Sequence, residues 1–181
     1  MEIKLKPFVE TAHVWKNMSS CARVHVGAVI INMETKRLLS IGYNGTLPGQ
    51  VHCNELFLPN HYISKKLCDF IPVHLTYSVI ETDSKIQLSK DDWMRLHHEF
   101  SERYEVHAEQ NAIYNLLKTG SSYDPKNLAI ICTTEPCYQC AKAIAALGIK
   151  HVFYVDAYDR NNSEVRDFFN KVGIICRQIK S

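Results

Sequence analysis

Apolar residues recur at helical spacing from Pro7 to Ser19, where Phe8, Ala12, Trp15 and Met18 share a face and Pro7 suits a first turn. That spacing predicts an opening helix. Val24 to Asn32 is apolar and β-branched, Leu38 to Tyr43 is a second short run, and Met33 to Arg37 suits a hairpin connection. After the turn-rich stretch Asn44 to Gly49 the pattern lapses until about Phe100. A loop of that length inside a compact domain requires internal structure, a function or a staple. Helical spacing returns at Glu105 to Lys118 and ends at Gly120. Leu128 to Cys132 then reads as a strand, Cys137 to Leu147 as a helix closed by Gly148, and His151 to Asp156 as a strand. Ser163 is placed to cap a helix running to Val172, and Ile174 to Ile179 closes the chain as a strand. This order predicts an α/β protein with a mostly parallel sheet that begins with a hairpin and carries helices on both faces. We expect a single domain, residues 1–181, with an insert at about 49–100.

The chain has 181 residues, 46% of them apolar, enough for a core that needs no disulfide staples. Its 21 basic and 19 acidic side chains leave a net charge of +2, and no three basic residues adjoin. An extended nucleic-acid or membrane footprint is therefore not expected. The longest apolar runs, such as Val26 to Ile31, fall far short of a membrane span, so a soluble, unexported, cytoplasmic protein is expected. Seven cysteines in such a chain point to thiols or metal ligands rather than a disulfide framework.

Two cysteines carry chemistry through their spacing. Pro136-Cys137-Tyr138-Gln139-Cys140 lies between a predicted strand and a predicted helix, which puts both sulfurs at a helix N-terminus, where the dipole favours thiolates. His107-Ala108-Glu109 opens the other long helix and adds a nitrogen ligand and a carboxylate. Residues two apart do not share a helix face, so His107 and Glu109 converge only if the metal lies beyond the helix mouth. His-x-Glu with Pro-Cys-x-x-Cys is the signature of zinc nucleobase deaminases. His107, Cys137 and Cys140 as zinc ligands leave a fourth position open to water. Two thiolates offset the metal charge, so a carboxylate base is useful, and Glu109 is placed to carry protons from water to the ring and to the departing ammonia.

His107 to Ile113, Val26 to Ile30, Gly42-Tyr43-Asn44-Gly45 and Pro136 to Cys140 together resemble the deoxycytidylate (dCMP) deaminase family, in that family's order and over almost the whole chain. The resemblance implies the three-layer α-β-α cytidine-deaminase fold with a mixed five-stranded sheet. It also implies hydrolysis of dCMP to dUMP and ammonia, supplying dUMP for thymidylate synthesis, a homohexamer, activation by dCTP and inhibition by dTTP. Substrate contacts implied by position are Arg23, Asn44, Ala108, Thr133 and Tyr158. Effector contacts are Gly42, Tyr43, Asn44, Gly45, Gly49 and Lys118, with Mg2+ accompanying the triphosphate. Leu47 stands where the family has proline in the effector loop, which bears on regulation more than on catalysis. Glu135 before Pro136 is also similar to the tRNA adenosine and riboflavin-pathway deaminases, but the long insert and Gly42 to Gly45 fit those poorly. Other readings are a deaminase of another cytosine or modified-cytosine nucleotide or nucleoside, and a zinc-binding scaffold. The retained Glu109 disfavours the scaffold.

Between Gly49 and Phe100 lie five of the nine histidines, with Cys53 and Cys68. This resembles the longer phage-type dCMP deaminases, in which a second, structural zinc ties the insert to the core. Matching the motif blocks implies Cys21, Cys53, His97 and Glu105 as its ligands, with His98 or His52 as substitutes. Such mixed sulfur, nitrogen and oxygen ligation suits a closed site. Cys68, Cys132 and Cys176 are then read as small buried or partly buried side chains.

Overall fold

A computed structural model describes residues 4–70, 80–81, 84–158 and 163–180. Helix α1 (Lys6–Trp15) has Pro7 in its first turn and runs on into a single tighter turn at Lys16–Met18. Strands β1 (Gly27–Asn32) and β2 (Arg37–Tyr43) form the expected hairpin. Its turn is held by Asn32 Oδ1, which accepts from the N–H groups of Glu34 and Thr35 at 2.9 and 2.8 Å. There follow β3 (Gly45–Thr46), α2 (Cys53–Leu56), β4 (Phe57–Leu58), β5 (Tyr62–Ser64), β6 (Ile80–Glu81), β7 (Lys85–Gln87), α3 (Lys90–Tyr104) and β8 (Glu105–Val106). The remainder alternates: α4 (Ala108–Lys118), β9 (Leu128–Thr134), α5 (Tyr138–Leu147), β10 (His151–Asp156), α6 (Glu164–Lys171) and β11 (Ile175–Gln178).

These elements divide into two compact units, one of residues up to Ser19, His25–Asn44 and His107 onward, the other of Ser20–Val24 and Gly45–Val106. The first unit holds a five-stranded sheet in the order β11-β10-β9-β1-β2. Strands β9, β10 and β11 run parallel, whereas β1 is antiparallel to both β2 and β9. The sheet is therefore evenly mixed rather than mostly parallel, because the hairpin docks with β1 inward and against the direction of β9. Side-chain alternation serves two faces. Val29, Ile31, Ala129, Ile131 and Phe153 pack with Val9 and Ala12 of α1. Ala28, Ile30, Ile130, Cys132 and Val152 pack with α4, α5 and α6 through Ala112, Leu116, Ile144 and Phe169. The result is the three-layer α-β-α arrangement.

Gly42 sets how closely α4 approaches β2. A Cβ there would lie 2.1 Å from the Ala108 carbonyl oxygen and 2.3 Å from the Ala112 nitrogen. Ser40, two residues back on the same face, donates its hydroxyl to the Ala112 carbonyl. Backbone cannot yield as a flexible side chain would, so Gly42→Ala should push the His107 end of α4 off the sheet and cost about 1–3 kcal/mol in a denaturant titration. A parent-like midpoint would show that this contact does not limit the packing.

The second unit corrects the expectation of an unpatterned insert. It contains α3, the four-stranded sheet β4-β5-β7-β6 and the β3-β8 ladder. Helix α3 buries Trp93, Leu96, His97 and Phe100 along one face, and its Ser89 cap accepts from Asp92 N–H at 3.1 Å. Other boundaries also move. Glu105 and Val106 pair with Thr46 and Gly45 as a strand, so α4 begins at Ala108 rather than Glu105. Ser163 precedes α6 but has helical backbone angles and makes no capping bond. Cys68 is exposed, whereas Cys132 is buried and Cys176 partly buried. No described helix is long and apolar enough to cross a membrane.

Candidate active site and metal centres

Two strand-to-helix mouths in the first unit build one cluster. His107 is the N-cap of α4, with extended backbone (φ −71°, ψ 155°), and its N–H donates to Gln110 Oε1 at 3.2 Å. Because His107 lies outside the helix proper, its two-residue separation from Glu109 does not obey helical facing. Cys137 is likewise the extended N-cap of α5, and Cys140 lies in that helix's first turn. His107 Nδ1 lies 3.4 Å from Cys137 Sγ and 3.3 Å from Cys140 Sγ. Tetrahedral zinc with sulfur and nitrogen ligands separates its donors by roughly 3.5 Å, so this set fits the metal. Sharing a proton with Cys140, and helped by His107, Cys137 is held down to about 4 against the opposing effect of burial, while Cys140 is pushed up. The carboxyl of Glu109 is 4% exposed and is pushed up by burial, with the His107 imidazole opposing.

The second unit builds another cluster. Cys21, Cys53, His97 and Glu105 each offer a ligand atom, all within 4.8 Å of one another. His97 Nε2 lies 3.4 Å from each of Cys21 Sγ and Cys53 Sγ. The hydrogen bond with Cys53 brings Cys21 down to about 3, and Cys53 is pushed up. Burial raises Glu105, and the Cys21 charge raises it further. Cys21 is buried and Glu105 half-buried, and two sulfurs, an imidazole and a carboxylate brought this close suit a cation between them. Glu105 Oε2 accepts from Ser101 Oγ at 2.6 Å, whereas Oε1 is buried with no hydrogen-bond partner among the described residues. His97 Nδ1 is also buried and unpartnered; its ring is fixed by packing, stacked on Trp93 at 5.3 Å and edge-on to Phe57 at 5.0 Å. Neither alternative histidine joins the set. His98 is exposed and pairs with Glu102, and His52 Nδ1 lies 3.3 Å from Thr46 Oγ1.

The family model of the cytidine and deoxycytidylate deaminase zinc-binding region matches residues 3–156. The chain belongs to this deaminase family. Its relatives include the deoxycytidylate deaminases of Enterobacteria phage T2, 33% identical over 95% of this chain and 90% of that protein, and of phage T4, 32% identical over 95% and 88%. A solved dCMP deaminase of cyanophage S-TIM5, in complex with dCMP and dUMP, superposes with a TM-score of 0.64 at 23% identity over 99% of both chains, a likeness of fold.

Other expected residues of this deaminase fall differently. Asn44 is buried beside β1: its N–H donates to Val26 O at 3.3 Å and its Oδ1 accepts from Val26 N–H at 2.8 Å. Thr133 is buried and accepts from Gly27 N–H at 3.0 Å, and Ala108 is wholly buried at the helix mouth. Tyr158 follows β10, its N–H donating to Glu135 Oε2 at 3.2 Å. Arg23 is exposed and belongs to the second unit. The expected effector residues are split between the units: Gly42, Tyr43 and Asn44 in the first, Gly45 and Gly49 in the second. Lys118 is exposed in the last turn of α4, about 15 Å along the axis from the His107 mouth, so it is not part of the metal cluster. Sequence reasoning passed over Arg166, whose Nε donates to the buried Glu135 at 2.8 Å. A helix-face arginine gave no signal of that pairing.

Proposed function

We propose that this deaminase converts dCMP and water to dUMP and ammonia. The observation that carries the reading is the buried Glu109 carboxylate beside the His107–Cys137–Cys140 set, in a chain one-third identical over nearly its whole length to phage deoxycytidylate deaminases. Zinc held by His107, Cys137 and Cys140 would supply Lewis acidity to a water molecule. Glu109 accepts a proton from that water at its carboxylate, passes it to the pyrimidine ring nitrogen and assists protonation of the departing amine. Asn44, already oriented by Val26, and Thr133 and Ala108 at the helix mouths would line the nucleotide site, with Tyr158 toward its phosphate; a phosphate contact by Arg23 rests on the family resemblance alone.

A second zinc at Cys21, Cys53, His97 and Glu105 belongs to the same proposal, supported by four ligand atoms within 4.8 Å of one another. So do a hexameric assembly, opposed control by dCTP and dTTP with magnesium, and action in the cytoplasm. These rest on the resemblance to phage-type dCMP deaminases. Ammonia release from dCMP, CMP, dCTP, deoxycytidine and 5-substituted dCMP tests the substrate. Turnover of dCMP above the others is expected; no turnover of dCMP beside rapid turnover of another member of the panel would replace the assignment.

A further inference from the structure

Glu135 sits between the end of β9 and the Cys137 turn, and its side chain is 0% exposed. Its N–H donates to Asp156 O at 2.8 Å, its Oε1 accepts from Arg166 Nε at 2.8 Å, and its Oε2 accepts from Tyr158 N–H at 3.2 Å. One residue therefore ties the end of β9, the exit of β10 and helix α6. Arg166 is half exposed, so its ion pair with Glu135 adds little stability of its own. Position is the better reason for the pair. The Arg166 guanidinium, charged in any case, reaches Glu135 from a half-exposed position on α6. By occupying Oε1, Arg166 leaves Oε2 aimed at the Tyr158 backbone.

We propose that Glu135 is a positioning residue: it holds Tyr158 in register with the Cys137 turn, so that the tyrosine meets the phosphate end of the nucleotide while the base reaches Glu109. The proposal rests on reading Tyr158 as a substrate contact. Arg166 acts through Glu135, by fixing the carboxylate's orientation.

The test is E135Q, which keeps the shape but leaves one acceptor oxygen for Arg166, the Tyr158 N–H and the Tyr154 hydroxyl. With zinc content unchanged, KM for dCMP should rise about tenfold, equivalent to about 1.4 kcal/mol of binding, while kcat stays within about twofold. Amide deuterium exchange at Tyr158 should accelerate in the same variant. The E135M/R166M double variant removes both charges without leaving one unpaired, so it should fold with full zinc content yet show the same KM rise and faster exchange. That combination separates positioning from folding and serves also if E135Q is unstable. A parent-like KM, or parent-like exchange at Tyr158, would overturn the proposal. Should the parent leave dCMP untouched, the dCMP reading falls, while exchange at Tyr158 still decides the role of Glu135.

Discussion

Glu109→Gln should lower kcat for dCMP by about a hundredfold to ten-thousandfold, the range over which a positioned general acid-base group contributes. Glutamine fills the same buried volume but cannot take up and return the proton. The three ligand atoms of His107, Cys137 and Cys140 are untouched by the change, so zinc content should match the parent. Removing the charge also removes a group that burial disfavours, and stability should hold or rise slightly. Single-turnover rates measured beside elemental analysis check both halves. A variant that keeps parent-like turnover would remove Glu109 from the chemistry. Loss of zinc together with activity would mean that the carboxylate shapes the metal centre instead.

The second large effect is expected at Cys53, which is wholly buried and faces His97 Nε2 at 3.4 Å. Cys53→Ala should release one of two zinc ions per chain and loosen residues 45–106, because the ligand and the closure it enforces disappear together. The core around this cluster, Leu56, Phe57, Leu96 and Phe100, is assembled from short elements that pair over long sequence separations. Structural zinc contributes on the order of 10 kcal/mol or more in small domains, so the second unit should lose its protection from hydrogen exchange, with the first unit less affected. Cys137→Ala is the contrast: it should release the other ion and stop turnover while residues 45–106 keep their protection. A parent chain that binds a single zinc when purified without chelator would exclude the second site.

How far the sequence could be read depended on the range of the interactions involved. Strands β1, β9 and β10 are long apolar runs, and the helix mouths at His107 and Cys137 carry their own punctuation, so the sheet and first cluster could be placed from local pattern. Helix α3 was legible but passed over. Trp93, Leu96, His97 and Phe100 follow helical spacing behind a Ser89 cap, yet polar residues between them and two adjacent histidines made the stretch read as loop. Strands of two or three residues, such as Phe57–Leu58 and Tyr62–Ser64, carry no usable period, and only their partners across the sheet define them. Ser163 had the composition of a cap, but the chain enters α6 already helical there, leaving the hydroxyl no capping geometry. In the sequence Glu135 stands out only as the residue before Pro136. Its pairing with Arg166 needed the return of α6 over the end of β9, which local pattern does not encode.

The central claim is hydrolytic deamination of dCMP at the cluster around Glu109. Its most direct test is to incubate the zinc-loaded protein with dCMP in heavy-oxygen water and to follow ammonia and the nucleotide by mass spectrometry. One ammonia is expected for each dUMP formed, with the heavy oxygen in the new carbonyl of the base and the sugar phosphate unlabelled. Unchanged dCMP, or release of ammonia without label entering the base, would contradict it.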